Sequence, residues 1–152
     1  MAIDFGNRLH SNKQTYDLFW SEDPAFIQGE GPEHERKLEQ ARETGDWSAL
    51  LVQGQIPTKF VARQVPSEIR RRLLDRYSAE KIGGRELDAL LVRVAIVDVV
   101  GFGDFKLGFA KHEDWGRVAS SELVDAMDAY APGSITELAL QIFNRMMGIS
   151  GK

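Results

Sequence analysis

Residues 53–67 read Gln53-Gly54-Gln55-Ile56-Pro57-Thr58-Lys59-Phe60-Val61-Ala62-Arg63-Gln64-Val65-Pro66-Ser67. Gln53-Gly54 has turn chemistry. Beyond it Thr58, Phe60 and Ala62 fall on one side of an extended chain and Lys59 and Arg63 on the other, with Val61 and Val65 breaking the alternation. Pro57 has no amide proton for a ladder, so it suits the start of a strand or an edge strand. An edge strand is predicted. Pro66-Ser67 then opens a helix over about 67–82, with Ser67 as its N-cap. Ile69, Leu73, Leu74 and Tyr77 form the inward stripe, and Gly83-Gly84 stops it. A strand running into an amphipathic helix within thirty residues points to an α+β fold.

The downstream sequence repeats the mixture. From Arg85 on, Leu87, Leu90, Leu91, Val94 and Ala95 recur at i, i+3, i+4, i+7 and i+8, a helical stripe. The β-branched run Ile96-Val97-Asp98-Val99-Val100 then disfavours helix, and Gly101-Phe102-Gly103 breaks the element. Phe105, Leu107 and Phe109 alternate with Lys106, Gly108 and Ala110, which predicts a second short strand. Ser120 or Ser121 caps a helix carrying Leu123, Met127 and Tyr130, ended by Pro132-Gly133. Ser134-Ile135-Thr136-Glu137 spells a capping box for a last helix lined by Ile135, Leu138, Ala139, Ile142, Phe143 and Met146.

Upstream, Pro32 sits well in a first helical turn, and the helix it starts ends before Gly45. Leu38 and Ala41 are its only apolar anchors, so pairs such as Glu33 with Lys37 must help hold it. Residues 1–31 show neither period. They nevertheless hold Phe5, Tyr16, Phe19, Trp20 and Phe26, five of the chain's 14 aromatics. Disordered tails are poor in aromatics, so the segment is bound down. It either lies on its own domain or docks on a neighbouring subunit, each aromatic filling a pocket. The predicted organisation is an extended N-terminal arm, 1–31, and a single, mostly helical α+β domain, 32–152, with a small β-sheet or hairpin.

The chain has 152 residues, 43% hydrophobic and 28% charged, the profile of one globular domain. A chain this long buries roughly 70% of its unfolded surface and needs no metal or disulfide staple. It has no cysteine, which excludes disulfides, thiolate zinc, iron–sulfur clusters and cysteine nucleophiles. No apolar run approaches membrane length and no signal-peptide pattern opens the chain. The net charge of −4 is unevenly spread: −5 over residues 1–55, +3 over 56–100 and −2 over 101–152. The two signs suit contacts within one chain or between copies, and the acidic balance argues against nucleic acid as a partner.

Candidate sites are few. Gly101–Gly108 lacks both the third glycine of a dinucleotide fingerprint and the end of a P-loop, so it reads as a turn. His10, His34 and His112 include no metal-binding i, i+4 pair, and His112-Glu113-Asp114 reads as an exposed loop. Asp88 and Asp98 have the most apolar flanks among the carboxylates; the ordinary role for Asp98 is a hydrogen bond to nearby backbone. Arg70, Arg71 and Arg72, with Arg76, make a basic helix that is a solvated face, a phosphate contact or a partner for an acidic surface of another copy. No catalytic residue, metal site or cofactor is expected, and the chain reads as a non-enzyme.

The segment Gly54-Gln55-Ile56-Pro57-Thr58-Lys59-Phe60-Val61-Ala62-Arg63 resembles small proteins of tailed-bacteriophage morphogenesis. So does the acidic Glu22-Asp23-Pro24-Ala25-Phe26 before it, and the order of an Arg-rich helix, an apolar helix and a capped C-terminal helix after it. The resemblance spans residues 22–148 in order of parts and carries no site residues. It implies a virion structural or assembly protein of head or tail, binding the major capsid or tail protein and itself as an oligomer. It places the protein in the host cytoplasm during assembly, and then in the virion. Partner contacts are expected at Phe5, Tyr16, Phe19, Trp20, Phe26, Arg70, Arg71 and Arg72. The alternative is a small regulatory or ligand-binding protein with a pocket near residues 101–108.

Overall fold

A computed structural model describes residues 15–79 and 84–148. In chain order it contains β1 (Thr15–Leu18), α1 (Pro32–Thr44), a 3-10 turn (Ser48–Leu50), β2 (Lys59–Arg63), α2 (Ser67–Ala79) and α3 (Gly84–Ala95). There follow β3 (Ile96–Val100), β4 (Phe109–His112), β5 (Gly116–Ala119), α4 (Ser121–Tyr130) and α5 (Ser134–Met147). Five helices over two small antiparallel sheets make one α+β fold, as the sequence predicts.

β2 is the centre of its sheet, not an edge: the order is β1-β2-β3, all antiparallel. Leu18 faces Phe60 and Thr15 faces Arg63 on one flank; Lys59 faces Val100 and Ala62 faces Ile96 on the other. The edge prediction rested on the alternation of Thr58, Phe60 and Ala62 with Lys59 and Arg63, with Pro57 placed at a strand's start or edge; the strand begins two residues after Pro57, where every amide can donate. Opposite Val61 and Ala62 the register against β3 shifts by one, leaving Val97 of β3 without a partner residue in β2, while β2 keeps its alternation with Phe60 and Ala62 buried. β3 follows α3 without a connecting loop. The helical stripe ends at Ala95, and the β-branched residues beyond it are stiff at χ1 and pack well in a pleat.

The main core joins Phe60 and Ala62 of β2 to Leu73 of α2, Leu87 and Leu91 of α3, Leu123 and Met127 of α4, and Leu138 and Ile142 of α5. α3 lies between sheet and helices and packs on α4, α5 and β5. A second, smaller core holds Phe26, Leu38, Ala41, Trp47 and Leu50, with Phe19 against it. The Phe26 and Trp47 rings lie 4.9 Å apart. This cluster explains how the polar α1 is held: Leu38 and Ala41 are its buried residues, as expected. Its Glu33 pairs with Arg36 at 2.9 Å rather than with Lys37.

Three local readings are corrected. The strand expected from Phe105 starts only at Phe109: a turn closed by the Phe105 amide on the Phe102 carbonyl (3.0 Å) comes first, and the chain after it enters the β4–β5 pairing only where the Gly108 carbonyl accepts from the Ser120 amide at 2.9 Å. Ser67 is the first residue of α2 rather than its cap, and the Pro66 carbonyl accepts the first helical bond from Arg70. Ser134 likewise stands inside α5; the N-cap is Gly133, whose φ of 88° is a left-handed conformation that glycine adopts without a Cβ penalty. The capping box therefore does not form. Ser134 Oγ is buried without a partner among the described residues, and the Glu137 carboxylate turns to another part of the chain.

Candidate functional site

Of the expected arm, residues 15–31 are described and lie across their own domain. Tyr16 stands in β1, partly buried, with the Arg145 guanidinium over its ring at 4.1 Å. Burial pushes its hydroxyl up to about 12, against the opposing pull of Arg145. Phe26 is 1% exposed in the second core, and Phe19 closes that core with ring centroids 5.8 Å apart. Trp20 is partly exposed at the rim of a cleft. Phe5 lies outside the described residues. The aromatic excess of the N-terminal third is thus spent, in its described part, largely on intrachain packing.

The cleft has a volume of about 650 Å³ and opens where three distant segments meet. Residues 20–24 form one wall, Thr58 and Phe60 at the start of β2 the floor, and the 102–105 turn with Tyr130 and Ala131 the other wall. Gly101, at φ 78°, turns the chain out of β3 so that its carbonyl accepts from Thr58 Oγ1 at 2.9 Å. Phe102 is the hub: its ring meets Phe60 at 5.7 Å, Phe105 at 5.8 Å and Tyr130 at 6.3 Å, all steeply inclined. Tyr130 is 74% exposed; it ends α4, where the core gives way to this rim.

Two carboxylates line the cleft. Asp23 is only 7% exposed, and its oxygens accept from the Ala25 amide at 2.8 Å and the Thr58 amide at 2.9 Å. Asp104 is exposed on the turn. No lysine, arginine or histidine lines the cleft, and neither acid is in an ion pair among the described residues. Both hydrogen-bond donors to Asp23 are neutral backbone amides. The cleft thus sets two carboxylate side chains among the rings of Phe60, Phe102, Phe105 and Tyr130.

The arginines sit elsewhere. Arg70 reaches the Met146 carbonyl at 3.4 Å, and Arg72 donates to the Asp114 carbonyl at 2.6 Å. Arg72 and Arg76 lie over the Trp115 ring at 5.5 and 5.7 Å. Successive helical residues are about 100° apart, so Arg71 stands between these two anchored neighbours, on the side away from the fully buried Leu73. None of the four pairs with a carboxylate among the described residues.

Sequence reasoning missed a third feature. The Val52 amide donates to the Ala25 carbonyl and the Ile27 amide to the Leu50 carbonyl, building a short two-stranded ladder. It leaves Ile27, Leu51, Val52 and, just beyond, Ile56 in solvent, at 48%, 38%, 36% and 87% exposure. The signal was present as Leu50-Leu51-Val52 and Ile56, but their fate depended on the pairing with residues 25–27.

The remaining candidates are ordinary. Asp98 is exposed on β3 and accepts from the adjacent Val99 amide. Asp88 accepts from the Tyr77 hydroxyl at 3.4 Å; burial pushes its carboxyl up, and pushes the Tyr77 hydroxyl up to about 12. His112 Nδ1 accepts the Asp114 amide inside the β4–β5 turn. Among the described residues no three histidines or acids come together to hold a metal, and no helix is long and apolar enough to cross a membrane. Comparison with protein-family models, curated proteins and solved structures finds no match.

Proposed function

We propose that this chain is a non-enzymatic bacteriophage virion structural or assembly protein. It acts through protein–protein contacts in head or tail morphogenesis, on the major capsid or tail protein and on further copies of itself. The observation that carries this reading is the exposed aliphatic ridge of Ile27, Leu51, Val52 and Ile56. Single exposed aliphatics are common, but four gathered on one ladder and its outgoing turn mark a surface meant to be covered. The phage assignment comes from the sequence resemblance, and the ridge supports the mode of action.

The test is binding of the purified chain to separated heads and tails of a producing phage, read by co-sedimentation. The expected result is retention on one of the two, lost in Ile56→Asp while the fold is unchanged. Retention on neither, or full retention by Ile56→Asp, overturns the reading.

The cleft at residues 102–105 favours a second reading, a regulatory or ligand-binding protein, since its volume suits a small molecule. Its open rim, with Asp104 and Tyr130 in solvent, suits a partner's side chain better than an enclosed ligand.

A further inference from the structure

The cleft and the arginines stand at opposite ends of the molecule. α5 measures both: Ala131, just before its first turn, lines the cleft, and Arg70 reaches the carbonyl of Met146 in its last turn. Fourteen helical residues separate these ends by about 20 Å. β2 has the same polarity, with Thr58 and Phe60 at the cleft and Arg63 leading toward α2. One end is therefore aromatic and acidic, with no base in its lining among the described residues. The other presents four arginines against Glu68 and Asp75 on the same helix.

We propose that the cleft of one copy receives the arginine end of α2 of a second copy, head to tail. This deepens the reading of the chain as a self-associating assembly protein and rests on it. Arg71 is the inserting side chain. Its planar guanidinium stacks on the rings of Phe102 and Tyr130 while its charge meets Asp104 and the amide-held Asp23. Because the two surfaces differ and lie far apart, the contact is heterologous: each copy offers one of each, and the assembly grows into a ring where the rotation closes and into an open filament where it does not.

The charge reversals Asp104→Lys and Arg71→Glu test this directly, since both positions are exposed and tolerate substitution without unfolding. By light scattering the wild-type chain is expected to exceed 17.1 kDa increasingly with concentration, less so at high salt. Each variant alone should associate about tenfold more weakly or worse, as should Tyr130→Ala. Mixing the two reversals is the decisive arm. Asp104→Lys keeps an intact arginine end and Arg71→Glu an intact cleft, so together they form the wild-type contact, and the two reversed ends are complementary to each other; the mixture regains at least twice the chain mass where neither variant alone does.

A wild-type chain that stays at 17.1 kDa throughout, a single reversal that assembles normally, or a mixture that yields no dimer each overturns the proposal. The two readings fail separately. A monomer that still binds heads or tails sinks only the self-contact, and an oligomer that binds neither sinks only the phage role.

Discussion

Ser21 and Glu137 lie 116 residues apart and are joined through both donors of the serine: its amide reaches the two carboxylate oxygens at 3.3 and 3.1 Å, and its hydroxyl donates to Oε1 at 3.0 Å. Arg42 of α1 donates to the same carboxylate at 3.3 Å. One acid at the start of α5 thus fastens the N-terminal segment and α1 to the main domain. It is the residue that would otherwise have completed the capping box.

Glu137→Ala should therefore cost more than a surface carboxylate does. Its side chain is 15% exposed, and hydrogen bonds to a charged group contribute about 1.5–3 kcal/mol. Arg42, 34% exposed, adds a pair worth at most about 1 kcal/mol. Urea unfolding should place Glu137→Ala near 2 kcal/mol and Arg42→Ala below 1 kcal/mol. The opposite order would make the ion pair the fastening.

Removing residues 1–14 and removing residues 1–31 should differ sharply. The longer deletion takes away β1, the buried Leu18 and Phe26, and both Ser21 donors to Glu137. Phe26→Ala alone should cost about 3–5 kcal/mol, the usual range for a core phenylalanine. Thermal melts should show the shorter form folded and the longer deletion lacking a cooperative transition. A cooperative melt of the longer deletion would show that the second core is dispensable.

Alkaline stability should depend on Tyr16. Its folded pKa, about 12, lies above the ordinary value of 10.0, so the folded state holds its proton more tightly than the unfolded chain. Stability then falls as pH rises from about 10 to about 12, on the order of 2 kcal/mol for a partly buried hydroxyl. Tyr16→Phe has no such proton, and its unfolding free energy should fall less over that interval. Parallel curves for the two proteins, by denaturant titration at each pH, would rule this out.

Much of the fold was legible because its signals are local. The 3.6-residue period of α3, the switch to β-branched residues at Ile96, and the Pro32 and Gly45 bounds of α1 each act within a few residues. Pairing is not local. Whether β2 is an edge or a centre depends on Thr15–Leu18 and Ile96–Val100 reaching it from both sides. The same holds for the surfaces: Trp20, Phe102 and Tyr130 share one cleft though no window of sequence contains them together.

The helices, the α+β class, the polarity of charge along the chain and the aromatic wealth of the N-terminal third are all written in the order of the residues, since composition and periodicity are properties of neighbours. Tertiary structure alone decided which aromatics were consumed in packing and which stayed in solvent, and where Glu137 would turn. It also set the acidic cleft and the arginines at opposite ends. Burial and the direction of a charged side chain are settled by contacts between residues distant in sequence, whose geometry exists only once the chain has closed on itself.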